Sequence, residues 1–371
     1  MTKVVQFVTE LGVYITGLKN SLEACSSFMS DHENVLLSEK EIMNAYKEFR
    51  GIEELSDIGL CRRLKFWLGL NRYLVKQYTN LKGAVVDVQY VSRFYVYILP
   101  FLTKTFSRIV LSFWGSDLLC QNVWDLFLLG FLVRKSHIIT VPTSDMAKVL
   151  ESKMGKKYRE KIRVVRFGNY FLNLIDSVTD ESIDLFLKKF EIDNSRKTVV
   201  VGYNRCKEQQ HLSALKSIVD AGIDRKDIFI IIPWTYGDAD IEYNEQVECI
   251  IRGYYDYVFL RERLNDNEVA ALRKISDILI VVEQTDALNA TMLETMYSDG
   301  EVMVGSWLPY DDIYCRGIKM RKVDAVSEVG GSLIEMLNCE QPAYDKKKNK
   351  ELIKELYSWN NNVNDWIALY L

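Results

Sequence analysis

Three histidines and seven scattered cysteines leave this chain without the makings of a zinc site. Cys25, Cys61, Cys120, Cys206, Cys249, Cys315 and Cys339 include no Cys-x-x-Cys pair, and their odd number argues against a disulfide framework, so buried, reduced thiols are expected. Proline is scarce too, five in 371 residues, and no repeat or low-complexity tract occurs, which leaves little room for long unstructured linkers. No apolar run reaches the roughly eighteen residues of a membrane-crossing helix. The apolar opening stretch, residues 4–18, is interrupted by Glu10 and lacks both a basic leader and a small-residue cleavage site, so the chain is expected to stay in the cytosol. Absent as well are Gly-x-Gly-x-x-Gly after a strand, Gly-x-x-x-x-Gly-Lys-Ser/Thr, His-Glu-x-x-His and Gly-x-Ser-x-Gly. Their absence removes the phosphate loops of dinucleotide oxidoreductases and P-loop enzymes, the zinc protease helix and the hydrolase elbow.

What is present is a globular chain. A hydrophobic fraction of 48% over 371 residues suffices for two domains with sizeable cores. The net charge of -4 is unevenly spread. Residues 1–170 hold 24 Lys+Arg against 16 Asp+Glu, a balance of +8, and the remainder holds 23 against 35, a balance of -12. A basic half suits anionic phosphate, whereas an acidic half argues against a continuous nucleic-acid track, so no nucleic-acid partner is expected.

Strand and helix patterns alternate throughout, the mark of an α/β protein with parallel sheets. Strands are expected at 34–37, 84–91, 108–113 and 137–141, then at 198–203, 227–233, 257–260, 278–282 and 302–305. Helices are expected at 179–190, 209–221, 265–276 and 287–298. The best boundary falls at Arg166 to Tyr170, giving domains 1–170 and 171–350, with a tail at 351–371.

Residues 276–294 are the most informative stretch. The apolar run Ile278 to Val282 passes through polar turn residues into an amphipathic helix, a βα unit, with Asp286 and Glu294 placed just past the strand's carboxyl end, where open parallel sheets bind ligands. Glu294 lies among Leu288, Met292, Leu293 and Met296, so its carboxylate needs either solvent or a hydroxyl partner such as a ribose diol. Gly202, Asn204 and Arg205 follow another strand directly, so backbone N–H groups and a helix N-terminus can hold a diphosphate, with Arg205 and Lys207 adding charge; a solvated basic rim is the alternative. His211 stands at the front of the following helix, either as a donor contact or as a packed or capping imidazole. Tyr236 ends the next strand at the same edge, to stack on a ligand or to pack in the core. Asp117 follows a strand through a Gly-Ser turn, either taking or holding an acceptor hydroxyl's proton or capping the next helix.

Asp286 and Glu294, with seven residues between them, resemble the acidic pair of retaining GT-B glycosyltransferases of the large family four, in which the first acid approaches the donor sugar and the second binds the nucleotide ribose. Aspartate here stands where glutamate is usual. Other segments resemble the aminosugar transferases that act on lipid-linked acceptors in enterobacterial common antigen assembly. They are Val201-Gly202-Tyr203-Asn204 with Gln210-His211-Leu212, Ile232-Pro233-Trp234-Thr235-Tyr236-Gly237, and Gln284-Thr285-Asp286-Ala287-Leu288. Phe113-Trp114-Gly115-Ser116-Asp117 is similar to the Trp-Gly-Ser-Asp of surface-polysaccharide transferases. The resemblance implies two Rossmann-like domains with parallel sheets facing across a cleft, the first binding the acceptor and the second the nucleotide-sugar. Gly202, Asn204, Arg205, Lys207, His211, Tyr236, Asp286, Leu288, Asn289 and Glu294 would bind the donor, and Asp117 would act as the catalytic group. A sugar would pass to a lipid-linked or glycan acceptor in bacterial surface polysaccharide synthesis. No cofactor and no metal are expected, the nucleotide-sugar being a substrate; Asp238-Ala239-Asp240 has metal-signature spacing but lies in a loop of the second half. A nucleotide-sugar epimerase or phosphorylase, or a non-catalytic partner of a transferase, are the alternatives.

Residues 61–76 mix Arg and Lys with Trp, Phe, Tyr and Leu, and a second piece, residues 124–135, is richer in Leu and Phe; this is the composition of helices on an anionic membrane surface, or of a core helix with a basic outer face. A peripheral position on the inner face of the plasma membrane is the resulting expectation. The amphipathic tail carries Trp359 and Trp366, and by resemblance it returns to the first domain.

Overall fold

The computed structural model describes residues 2–9, 13–51, 60–237, 240–339 and 344–371. Glu10, Asp238, Ala239 and the side chain of Cys61 lie outside the described residues. The chain forms two compact units, Met1–Gly168 with Trp359–Leu371, and Asn169–Ser358.

The first unit is built on a six-stranded sheet of β1 (Thr2–Val8), β2 (His32–Ser38), β3 (Val85–Gln89), β4 (Arg108–Ser112), β5 (Ile138–Val141) and β6 (Ile162–Val164). The spatial order is β2-β1-β3-β4-β5-β6 and every pairing is parallel. β1 was not expected as a strand: its apolar residues run into the helix Val13–Ala24 with little polar punctuation, so the opening reads as one stretch. β6 carries Arg163 among three residues, too short for an alternating pattern to show. The tail contributes here as well. Trp359, Trp366, Leu369 and Tyr370, on or beside the helix Trp359–Tyr370, pack with Val4, Leu18, Leu22, Val85 and Val110. The preceding helix, Lys346–Tyr357, belongs to the second unit.

The second unit has its own six-stranded sheet of β7 (Lys197–Val201), β8 (Ile228–Pro233), β9 (Tyr257–Leu260), β10 (Ile278–Val281), β11 (Glu301–Gly305) and β12 (Arg321–Val323). Its order is β12-β11-β10-β7-β8-β9, again all parallel. Alternation along each strand supplies both faces. Val200, Ile231, Leu279, Val281 and Val304 enter one core, and Val199, Val201, Ile230, Ile232, Ile280 and Met303 enter the other. A sheet covered on both sides explains why its strands read as continuous apolar runs.

Helix starts follow local chemistry. Thr179 caps the helix Asp180–Lys189, and Asn265 with Glu268 forms a capping box on Asp266–Ile275. The helix expected from residue 287 begins at Ala290, because the Asn289 side chain accepts from Met292 N and stops the helix there.

Candidate functional site

In the second sheet the strand order reverses between β7 and β10, so the loops leaving their carboxyl ends flank a topological switch point. Those loops are joined by hydrogen bonds. Gly202 N donates to Ile280 O at 3.0 Å, Gln284 N to Glu208 O at 2.9 Å, and Gln210 Nε2 to Val282 O. Gly202 adopts φ +69°, a left-handed conformation, and a Cβ there would lie 2.7 Å from His211 Nε2. Glycine lets the backbone turn directly over the imidazole.

Glu283 is the hub of this edge and is only 4% exposed. Its Oε2 accepts from Tyr203 Oη at 2.8 Å and Gln209 Nε2 at 2.9 Å, and its Oε1 accepts from Asn289 Nδ2 at 3.2 Å. Its backbone carbonyl accepts from Trp307 Nε1 at 2.8 Å. Three residues on, Asp286 Oδ2 accepts from the buried Tyr310 hydroxyl at 2.6 Å. Burial, followed by the charge of Asp286, pushes the Glu283 carboxyl up to about 8, and burial raises Asp286 as well. Two neighbouring carboxylates that resist simultaneous ionisation, ringed by phenols and amides, thus stand at the edge where sheets of this kind bind ligands. A surface hollow of about 590 Å³ bordered by Lys197, Lys274 and Asp277 lies at the amino ends of the strands, the opposite edge from these groups.

The expected donor residues are placed unequally. Asp286, Asn289, Gly202 and the half-buried Leu288 stand at this edge, Asn289 serving both as helix cap and as a Glu283 partner. Asn204 is 5% exposed and its Oδ1 accepts from Cys206 N at 2.8 Å. Arg205 and Lys207 tie this loop to the one after β8. Arg205 N donates to Tyr236 O at 2.8 Å and Arg205 Nε to Gly237 O at 2.9 Å, while Lys207 Nζ pairs with Asp240 at 2.8 Å. Asp240 caps the helix Ile241–Ile251, and Tyr236 is exposed.

The loop amides differ from expectation. Those of Gly202, Tyr203, Arg205 and Cys206 all have protein acceptors, so the tight turn consumes the N–H groups expected to cradle a diphosphate. His211 is fully buried against Trp234, and its Nε2 has no hydrogen-bond partner among the described residues. Burial lowers its pKa to about 4, which keeps the ring neutral.

Glu294 was expected to be satisfied by solvent or a ligand hydroxyl, yet it is 3% exposed and already partnered. Its Oε2 accepts from Arg273 Nε at 2.9 Å and its Oε1 from Asn169 Nδ2 at 3.0 Å. Arg273 also donates to Thr291 Oγ1. Sequence reasoning missed Glu283, Tyr203, Gln209, Tyr310 and Arg273. For Glu283 a signal existed, a carboxylate placed two residues past a wholly buried strand.

In the first unit Asp117 is fully buried and binds backbone. Its Oδ1 accepts from Trp114 N at 2.9 Å and Gly115 N at 2.8 Å, and its Oδ2 from Val91 N at 2.9 Å, which staples the loop after β4 to the loop after β3. Burial nevertheless holds its pKa up, at about 6. With three amide partners and no exposed surface, the side chain serves as a loop anchor in this arrangement. Below it, Asp87 accepts from Ser112 Oγ, Gln89 Nε2 and Tyr370 Oη, each at 2.7 Å, so the C-terminal helix is hydrogen-bonded to the centre of the sheet. Among the described residues no group of three or more His, Cys, Asp or Glu is placed to hold a metal ion.

No model of a known protein family matches the sequence, and no curated protein matches it. Solved structures do. A glycosyltransferase from Rickettsia africae superposes with a TM-score of 0.73 at 13% identity, covering 100% of this chain and 97% of that one. Sucrose-phosphate synthase from Thermosynechococcus elongatus gives 0.70 at 10% identity, covering 100% and 98%. HepE from Anabaena, in complex with UDP and glucose, gives 0.68 at 11% identity, covering 99% and 98%. Likeness at such identities is likeness of fold, and with two six-stranded parallel sheets the chain has the two-domain α/β fold of the GT-B glycosyltransferases.

Proposed function

We propose that the protein is a glycosyltransferase, of hexosyltransferase type, that takes its sugar from a nucleotide-sugar bound at the carboxyl edge of β7 and β10. The observation that carries this reading is the Glu283–Asp286 pair, with Tyr203, Gln209, Asn289 and Tyr310, at the switch point of a sheet with Rossmann strand order. Paired carboxylates can accept from the hydroxyls of a sugar ring, with Tyr203, Gln209, Asn289 and Tyr310 holding them in place. The nearby N-terminus of the helix His211–Asp220 suits the diphosphate, with Arg205 and Lys207 at its rim. HepE, similar in fold, is crystallised with UDP and with UDP-glucose, which supports a nucleotide-sugar donor.

In this reading Asp286 contacts the donor sugar, Glu294 acts through Arg273 and Asn169 on the ribose end, and Tyr236 covers the ligand. Gly202, Asn204, His211, Leu288 and Asn289 shape the pocket. Transition-state charge on the leaving diphosphate is met by fixed dipoles and cations, and no metal or cofactor is required. The first unit binds the acceptor, lipid-linked or glycan, in bacterial surface polysaccharide synthesis, and Asp117 sets the loop that receives it. The chain works in the cytoplasm at the inner face of the plasma membrane.

Thermal-shift and calorimetric titration against UDP, GDP, dTDP and CMP test the reading. At least one nucleoside diphosphate should raise the melting temperature, since ligand at a hundred times its Kd adds about 2.7 kcal/mol. That shift should shrink in Asp286→Asn, and radiolabelled sugar from the matching donor should then pass to a membrane-lipid extract. No binding to any nucleotide would sink the proposal.

A further inference from the structure

The helix Val123–Lys135 has almost no polar face. Its one acid, Asp125, is 6% exposed and pairs with Arg93, and Leu129, Leu132 and Val133 are buried beneath it. A helix apolar all round belongs in a protein core or against lipid. This one stands on the surface, with Val123 80%, Trp124 77% and Phe127 62% exposed. Phe131 continues the stripe one turn on, its ring 5.6 Å from that of Phe127, and Arg134 lies 5.7 Å from the Phe131 centroid. Single exposed apolar residues are ordinary, but a contiguous aromatic stripe on one helix marks an interaction surface.

A second helix, Leu60–Gln77, supplies charge. It exposes Arg62, Arg63, Lys65, Arg72 and Lys76 together with Leu64 and Leu68, and contains no acid. The short helix Arg93–Tyr97 spans between the two: the Tyr97 ring stacks on Trp67 at 4.4 Å, and Arg93 holds Asp125.

We infer that this face of the first unit docks on an anionic lipid bilayer, with Val123, Trp124, Phe127 and Phe131 in the interfacial layer and the cations of Leu60–Gln77 against the headgroups. The charge decides the occupant. Arg62, Lys65, Arg72 and Lys76, four exposed cations on a helix without an acid, call for a polyanionic surface, and tryptophan and phenylalanine beside them suit the boundary between headgroup and acyl chain. The two helices have distinct roles: the aromatic helix inserts, and the basic helix, the obvious membrane candidate by composition, contributes electrostatics. The inference rests on the proposed function only for why the chain should work at a membrane, and lipid binding is measured without nucleotide.

Flotation with vesicles of phosphatidylcholine containing roughly a third phosphatidylglycerol, and with phosphatidylcholine alone, tests it. The full chain should bind the anionic vesicles, at least about 100-fold more tightly than the neutral ones at low salt. Trp124→Ser/Phe127→Ser should lose at least about tenfold at every salt concentration, because its loss is apolar. Arg62→Ser/Lys65→Ser/Arg72→Ser should lose about 100-fold at low salt and converge on wild type at high salt. The altered side chains are exposed, so melting temperatures and any nucleotide-induced shift should stay unchanged. Should the double variant fail to fold, Phe127→Ser alone carries the same comparison. Undiminished vesicle binding by the aromatic variant, indifference to lipid charge, or a dimer that dissolves on Trp124→Ser/Phe127→Ser would overturn the inference.

Discussion

Tyr203 and Glu283 occupy equivalent positions, two residues past the adjacent strands β7 and β10, and the phenol of one donates to Oε2 of the other across 2.8 Å. The contact closes the switch point with a carboxyl group that burial pushes up to about 8. The folded state therefore keeps a proton that the unfolded chain gives up near the ordinary value of 4.5. The stability linked to that proton is complete below the unfolded value and is lost as pH rises through the folded one. Wild type should lose on the order of 1–3 kcal/mol between about pH 5 and pH 8.5, and Glu283→Gln, with no proton to release, should give a flatter profile. Urea midpoints measured across that range check this, and parallel profiles would refute it.

Gly202→Ala should act through two obstacles. The left-handed φ disfavours any Cβ by about 1–2 kcal/mol, and the added methyl would meet His211 Nε2 at 2.7 Å. Pairing it with His211→Ala should remove the collision but leave the backbone strain. The double variant is thus expected to be less destabilised than the sum of the two single variants, by about 1 kcal/mol. Strict additivity in a double-mutant cycle would show that the turn and the ring are independent.

Glu294 and Arg273 are both buried, so removing one strands the other. Glu294→Ala should cost about 3–5 kcal/mol, whereas Arg273→Met/Glu294→Leu should recover most of the loss. Chemical denaturation of the three variants decides it. A Glu294→Ala protein as stable as wild type would mean that the pair is dispensable and would favour a purely ligand-directed carboxylate.

Legibility in the sequence divided along physical lines. Nine of the strands could be read, most plainly in the second sheet, which is covered on both faces and produces unbroken apolar runs such as Ile228 to Ile232. β6 and β12 could not, since each is three residues with Arg163 or with Arg321 and Lys322, and their strand state comes from pairing with β5 and β11. At the site, the Asp286 edge followed from a strand-to-turn pattern. The partners did not: Tyr203 and Glu283 are 80 residues apart, and Glu294 and Arg273 are 21 apart on different helices. Side-chain pairing across that separation is a property of the fold and leaves no local periodicity to read. Glu294 looked like a carboxylate in want of a ligand because its guanidinium partner sits on another helix.

Asp117 separates two accounts of one carboxylate. As a loop anchor it accepts from three amides, Val91 N, Trp114 N and Gly115 N. Asp117→Ala should then destabilise the protein by about 2–4 kcal/mol, each buried amide left unpaired costing about 1–3 kcal/mol before relaxation. Asp117→Asn keeps one acceptor oxygen and turns an NH2 toward the remaining donors, so it should fall between alanine and wild type. A general base behaves otherwise. Its asparagine variant would unfold at the wild-type urea midpoint, would lose transfer activity by a factor of about 100 or more, and would lose the acidic limb of the pH–rate profile. Because burial sets the Asp117 pKa at about 6, that limb would lie near pH 6 if this group were the base. An anchor predicts a lowered urea midpoint, with any loss of activity following the loss of folded protein. Measuring the midpoint and the rate on the same asparagine variant distinguishes the two, and the amide geometry favours the anchor.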